Sequence, residues 1–150
     1  MERKLVSVII RLEEPKDYRE VEHLTREAFW NIYRPGCMEH YVLHCYRSRP
    51  EFVKELDYVV EEAGKIVAHI MYSYAQITGD DGRTVPILIF GPVSVLPEEQ
   101  GKTWRRRWAA APWLSPAIPD IITGSAFSAA AGWVFIMMEF PAVKKLRSLW

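Results

Sequence analysis

Three β-rich segments joined by very short connections constrain this chain most. Residues 57–62 and 65–77 flank Ala63-Gly64, a two-residue hairpin connection. Gly79-Asp80-Asp81-Gly82 turns the chain again into residues 85–96. Connections this short join only antiparallel neighbours, so the middle of the chain is an antiparallel meander. Within its last strand, Ile87-Leu88-Ile89-Phe90 is apolar at consecutive positions, as in a central strand covered on both faces. Gly91-Pro92 then interrupts that strand. Proline gives no ladder donor and glycine favours a bulge, so strand pairing is expected to be disturbed there.

Ahead of the meander, residues 5–12 are rich in β-branched side chains and read as an opening strand. Pro15 suits the first turn of a helix, and Tyr18, Val21, Leu24, Thr25, Ala28 and Phe29 recur at helical spacing. Arg34-Pro35-Gly36 is a turn, and a second helix is expected over residues 38–47, stopped before Pro50. The order is strand, helix, helix, meander. It specifies an α/β (more narrowly α+β) domain with a mixed, mostly antiparallel sheet and flanking helices.

The 150 residues suffice for one core, and the formal net charge of zero gives no general attraction to nucleic acid or anionic membrane. Two cysteines, Cys37 and Cys45, make no disulfide framework, which points to a reducing, cytoplasmic setting. Residues 125–138 are apolar but fall short of the roughly 20 residues a spanning helix needs. No membrane association is expected. Cys37, His40 and His44, with Cys45 beside them, share a helical spacing that suits metal ligands. No complementary ligand set is identifiable elsewhere, so cleft lining or packing is expected of them and no metal is assigned.

Gly91-Pro92-Val93-Ser94-Val95, then Leu96-Pro97, then Gln100-Gly101-Lys102 completes a pattern. In this element order it resembles the GNAT superfamily of acetyl-CoA-dependent N-acetyltransferases, over roughly residues 3–102. The resemblance implies direct attack of an acceptor amine, on a small molecule or a protein, on the acetyl thioester. It also implies that Val93, Ser94 and Val95 hold the pantetheine arm of acetyl-CoA. Gln100, Gly101 and Lys102 would approach its pyrophosphate with backbone N–H groups at a helix N-terminus. Acetyl transfer needs a base for the amine, and Glu62, His69 and Tyr72 on the meander are the candidates.

Beyond Lys102 the pattern fails. A loop that cradles a pyrophosphate needs small residues, whereas Thr103-Trp104-Arg105-Arg106-Arg107-Trp108 follows. The arginines and tryptophans there also suit an RNA patch, but no supporting motif accompanies them and no nucleic-acid partner is expected. All seven tyrosines precede Thr103, while five of the six tryptophans follow it. The tyrosine that commonly protonates the departing thiolate late in the family is therefore not encoded.

The genetic code offers a test of this break. Joining the last base of each codon from Pro116 to the first two of the next permits Gly-Asp-Pro-Gly-Tyr-Tyr-His-Arg-Phe-Gly-Phe through Phe127. That string resembles a C-terminal signature of the same family. The expectation is a deletion near Lys102/Thr103 that removed part of the cofactor helix and shifted the frame. Residues 1–102 would then be the N-terminal two thirds of an acetyltransferase domain, and 103–150 an atypical tail that leaves the C-terminal part incomplete or irregular. Transfer would be impaired. The alternatives are a non-catalytic remnant or a binding module of the same fold, whose incomplete sheet favours homo-oligomers.

Overall fold

The computed structural model describes residues 8–32 and 34–100. They form a four-stranded antiparallel sheet in the order β1-β2-β3-β4 with two helices before the second strand. The first strand, β1, is Val8–Leu12. A single 3-10 turn, Pro15–Asp17, then leads into α1, Tyr18–Phe29. That junction is fixed by charge. Arg11 of β1 donates to both Asp17 oxygens at 2.6 and 3.0 Å, and the Glu14 N–H donates to Asp17 Oδ2 at 2.9 Å. One carboxylate thus closes the turn and ties it to the sheet.

The helical spacing seen in the sequence is the buried stripe of α1: Val21, Leu24, Thr25, Ala28 and Phe29. The second helix, α2, runs over Glu39–Tyr46 and buries Leu43. Val21, Leu24 and Leu43 join Val59, Val60, Ile70 and Met71 in the core. Truncating a fully buried Leu24 to alanine costs about 2–5 kcal/mol by the usual behaviour of such sites.

The expected meander is present as β2 (Tyr58–Glu62), β3 (Lys65–Thr78) and β4 (Thr84–Val95). Ala63 and Gly64 connect β2 to β3 with φ of +52° and +82°, matching the twist of the flanking strands. Glu51 and Val53 extend the sheet along the edge of β3 that β2 leaves open. The Val53 N–H reaches the Tyr72 carbonyl at 3.0 Å, and the Tyr74 N–H reaches the Glu51 carbonyl at 2.8 Å.

Pairing between β3 and β4 is interrupted where the sequence places Gly91-Pro92. Ile70 pairs with Val93 and Tyr72 with Phe90, so Gly91 and Pro92 together oppose Met71. Proline has no N–H to withdraw from the ladder here, and Gly91 takes φ +140° with open space where a Cβ would stand. Pairing resumes through Val95. The described sheet ends at β4, whose other edge no described strand covers. Residues 5–7 of the expected opening strand lie outside the described residues, as do Gly101, Lys102 and the whole 103–150 segment.

Candidate functional site

One hydrogen bond sets the polarity of the β4 edge. The Leu96 N–H donates to the Val67 carbonyl at 3.0 Å, so these residues are a hydrogen-bonded antiparallel pair. Such pairs alternate along an antiparallel ladder. Ser94 and His69 are therefore the next bonded pair, and the backbone groups of Val93 and Val95 point away from β3, toward the edge that no described strand covers. The turn after β4 agrees: Gln100 Nε2–H donates to the Val95 carbonyl at 3.2 Å. That leaves the Val93 N–H and C=O and the Val95 N–H directed outward.

Side chains follow the opposite alternation. Ser94 Oγ meets Thr25 Oγ1 of α1 at 2.7 Å, both side chains fully buried. The helix-facing side of the sheet therefore carries Ser94, its partner His69, and Met71. Val93, Val95, Ile70 and Tyr72 face the other way. Among the candidate bases, Tyr72 is buried against Phe90, ring centres 5.7 Å apart, and burial raises its phenol well above the ordinary range. Glu62 is half-buried at the end of β2, opposite Val8 and Lys65.

His69 is sealed beneath the helices in a cluster that spans three strands. Glu13 follows β1, Asp57 precedes β2, and His69 sits on β3, all buried. His69 Nε2 lies 2.7 Å from Asp57 Oδ1 and 3.9 Å from Glu13 Oε1. Arg47, just past α2, grips both Glu13 oxygens at 3.1 and 2.7 Å and reaches Glu22 of α1 at 2.6 Å. Its guanidinium also stacks 4.1 Å above the Tyr18 ring. Burial first, then Asp57, pushes the Glu13 carboxyl up to about 7, outweighing the arginine. Burial likewise raises Asp57 and pushes His69 down to about 4, so the imidazole is neutral at ordinary pH.

Glu13, Asp57 and His69 have the donor types of a transition-metal site, their ligand atoms within 4.8 Å of one another. Two features explain the cluster without an ion. Arg47 occupies both Glu13 oxygens, and His69 Nδ1 is buried with no partner among the described residues, whereas a metal-bound histidine ordinarily anchors its second nitrogen. Cys37, His40, His44 and Cys45, whose spacing suits metal ligands, form no ligand group among the described residues. Cys37 Sγ–H points to Glu39 Oε2 at 3.3 Å, and His44 pairs with Glu22 at 3.1 Å on the surface. Sequence reasoning missed Glu13, Asp57, Arg47 and the Thr25–Ser94 link. No local signal marked them, since Glu13 and Arg47 stand among other charged residues, and the groups come together from separate stretches of the chain.

No protein-family model matches the sequence, and no curated protein matches it. Among solved structures, the chain is similar to a GNAT family acetyltransferase from Brucella melitensis, determined in complex with acetyl-CoA. Identity is 30%, the match covers 69% of this chain and 67% of that one, and the TM-score is 0.53. The chain belongs to the GNAT family. The interrupted β4 is thus part of a GNAT fold, and the helix-facing Ser94–Thr25 contact seats α1 on it. No helix among the described residues of this GNAT domain is long and apolar enough to cross a membrane.

Proposed function

We propose that this GNAT domain binds acetyl-CoA along the open edge of β4 and passes its acetyl group to an acceptor amine by direct attack. The observation that carries this reading is the outward direction of the Val93 and Val95 backbone groups. Pantetheine contains two amides, so it can pair with such an edge much as an added strand would. The bound acetyl-CoA of the Brucella melitensis relative supports the choice of donor. Val93 and Val95 then hold the pantetheine arm, Ser94 seats the strand on α1, and Gln100, Gly101 and Lys102 approach the pyrophosphate. The acceptor is an amine of a small molecule or a protein.

A second reading is favoured by the residues after Lys102, where Trp104 and Arg105 to Arg107 stand in place of small residues. In it the domain, residues 1–102, binds the donor while the 103–150 tail leaves transfer impaired or absent. Calorimetry with acetyl-CoA, paired with a thiol-release assay over a panel of amines, separates the two. Saturable binding with amine-dependent thiol release supports transfer, and binding without release supports the remnant. Absence of acetyl-CoA binding overturns both.

A further inference from the structure

We infer that Thr25 of α1 is a positioning residue for the proposed cofactor edge: its hydroxyl sets the height at which Val93 and Val95 offer their backbone groups to acetyl-CoA. The identity of the ligand rests on the acetyl-transfer reading, whereas the placement rests on contacts of its own. Thr25 is the polar member of a buried stripe otherwise made of Val21, Leu24, Ala28 and Phe29. Its Oγ1 meets Ser94 Oγ at 2.7 Å, and both residues are 0% exposed. Apolar side chains are the usual occupants at such depth. The hydroxyl pair therefore does something that packing does not.

Apolar burial is non-directional and tolerates small slides of a strand beneath a helix. Two sealed hydroxyls do not, because a buried polar group that loses its partner costs the full desolvation penalty. Thr25 is β-branched and stiff at χ1, so its oxygen has few positions and Ser94 must come to it. The bond thus selects one height of β4 under α1. Fixing Ser94 then fixes the edge. The Val93 carbonyl shares a planar peptide with the Ser94 N–H, and the Val95 N–H shares one with the Ser94 carbonyl. Two of the three outward groups are carried rigidly by Ser94.

The break in β4 makes such an anchor necessary. Tyr72 pairs with Phe90 and Ile70 with Val93, which leaves Gly91 and Pro92 opposite Met71. Residues 93–95 are thereby set off from the long regular part of β4, paired from Thr84 to Phe90. Past the break, β3 holds them through the Ser94–His69 pair and through the Leu96 N–H on the Val67 carbonyl at 3.0 Å. These ladder bonds lie in the sheet and fix the spacing of the strands, not their height beneath α1. Thr25 supplies the missing direction. An arm with two amides reads N–H and C=O groups at a set spacing and angle, so a tilt of this short segment weakens both bonds together.

The test separates affinity from stability. Acetyl-CoA calorimetry, a denaturant titration and amide hydrogen exchange are run on the full chain for wild type, Thr25→Val, Thr25→Ser and the double variant Thr25→Val/Ser94→Ala. Thr25→Val should bind acetyl-CoA about fivefold or more weakly, and Thr25→Ser, which keeps the hydroxyl, within about twofold of wild type. The double variant has no orphaned hydroxyl and should regain stability, yet its affinity should stay as weak as that of Thr25→Val. Affinity that returns together with stability would reduce the pair to a packing role and overturn the proposal, as would equal binding by wild type and Thr25→Val. Absence of acetyl-CoA binding in the wild type overturns the acetyl-transfer reading instead, and amide exchange then decides the placement. The Ser94 and Leu96 amides should exchange faster in the double variant than in wild type, measured against the β2–β3 amides. Unchanged exchange at both would show that Thr25 does not hold the segment.

Discussion

Glu13 and His69 share one buried cluster, yet burial moves their proton affinities in opposite directions, because it penalises whichever form is charged. Glu13 rises from 4.5 to about 7, so between those values the folded chain holds a proton that the unfolded chain has released. Its contribution to stability therefore falls as pH rises through that window. His69 drops from 6.5 to about 4, so the unfolded chain takes up a proton first as pH falls. Its contribution falls as pH drops below 6.5. The two trends offset each other between about pH 4.5 and 6.5, with Asp57 adding to the Glu13 side. Thermal melts across that range should therefore be level or fall slightly as pH rises for wild type. Glu13→Gln should expose the histidine and lose stability as the solution is acidified, and parallel curves for the two proteins would sink this account.

Buried hydroxyls at the junction of α1 and β4 behave as a pair rather than as two separate groups. Thr25→Val leaves the Ser94 hydroxyl sealed without a partner, which costs about 1–3 kcal/mol. Adding Ser94→Ala removes the orphan, and the double variant should recover most of that loss in a denaturant titration. A double variant as unstable as the sum of the singles would contradict the pairing. The β2–β3 hairpin offers a gain in the other direction. Ala63 is held at φ +52°, a region that disfavours any Cβ, so Ala63→Gly should stabilise by about 1 kcal/mol, visible as a higher Tm. Elements of this kind were legible in the sequence, since the turn residues, the β-branched runs and the α1 stripe are local signals. Gly91-Pro92 announced the bulge for the same reason. The direction of each strand's side chains was not legible, because it is set by which face α1 covers. That is why His69 was read as a candidate base although it lies sealed under α1 and α2.

Across the whole molecule, Arg47 reaches back 25 to 34 residues to the stretch that holds Glu13, Tyr18 and Glu22, a convergence no local pattern could reveal. The proposed cofactor edge could be read for the opposite reason. Its motif is continuous from Gly91 to Gln100, and the backbone alternation of one strand decides what it presents. The break after Lys102 belongs to this scale too, because under the proposed function it governs how much of acetyl-CoA the chain engages. If a shifted frame produced residues 103–150, specific codons follow from the amino acids themselves. Asp120 must be GAT and Ile121 ATT for the hidden reading to give two tyrosines, and Ile122 must be ATC for it to give histidine. Sequencing the coding DNA checks all three, and a different third base at any of them removes the corresponding residue from the signature. The same origin predicts a binding pattern. A pyrophosphate loop interrupted by Trp104 and Arg105 adds little to what the Val93–Val95 edge supplies, so acetyl-pantetheine should bind within a few-fold of acetyl-CoA. A hundredfold preference for acetyl-CoA would mean that the residues after Lys102 hold the pyrophosphate after all, and that the tail is an authentic divergent segment.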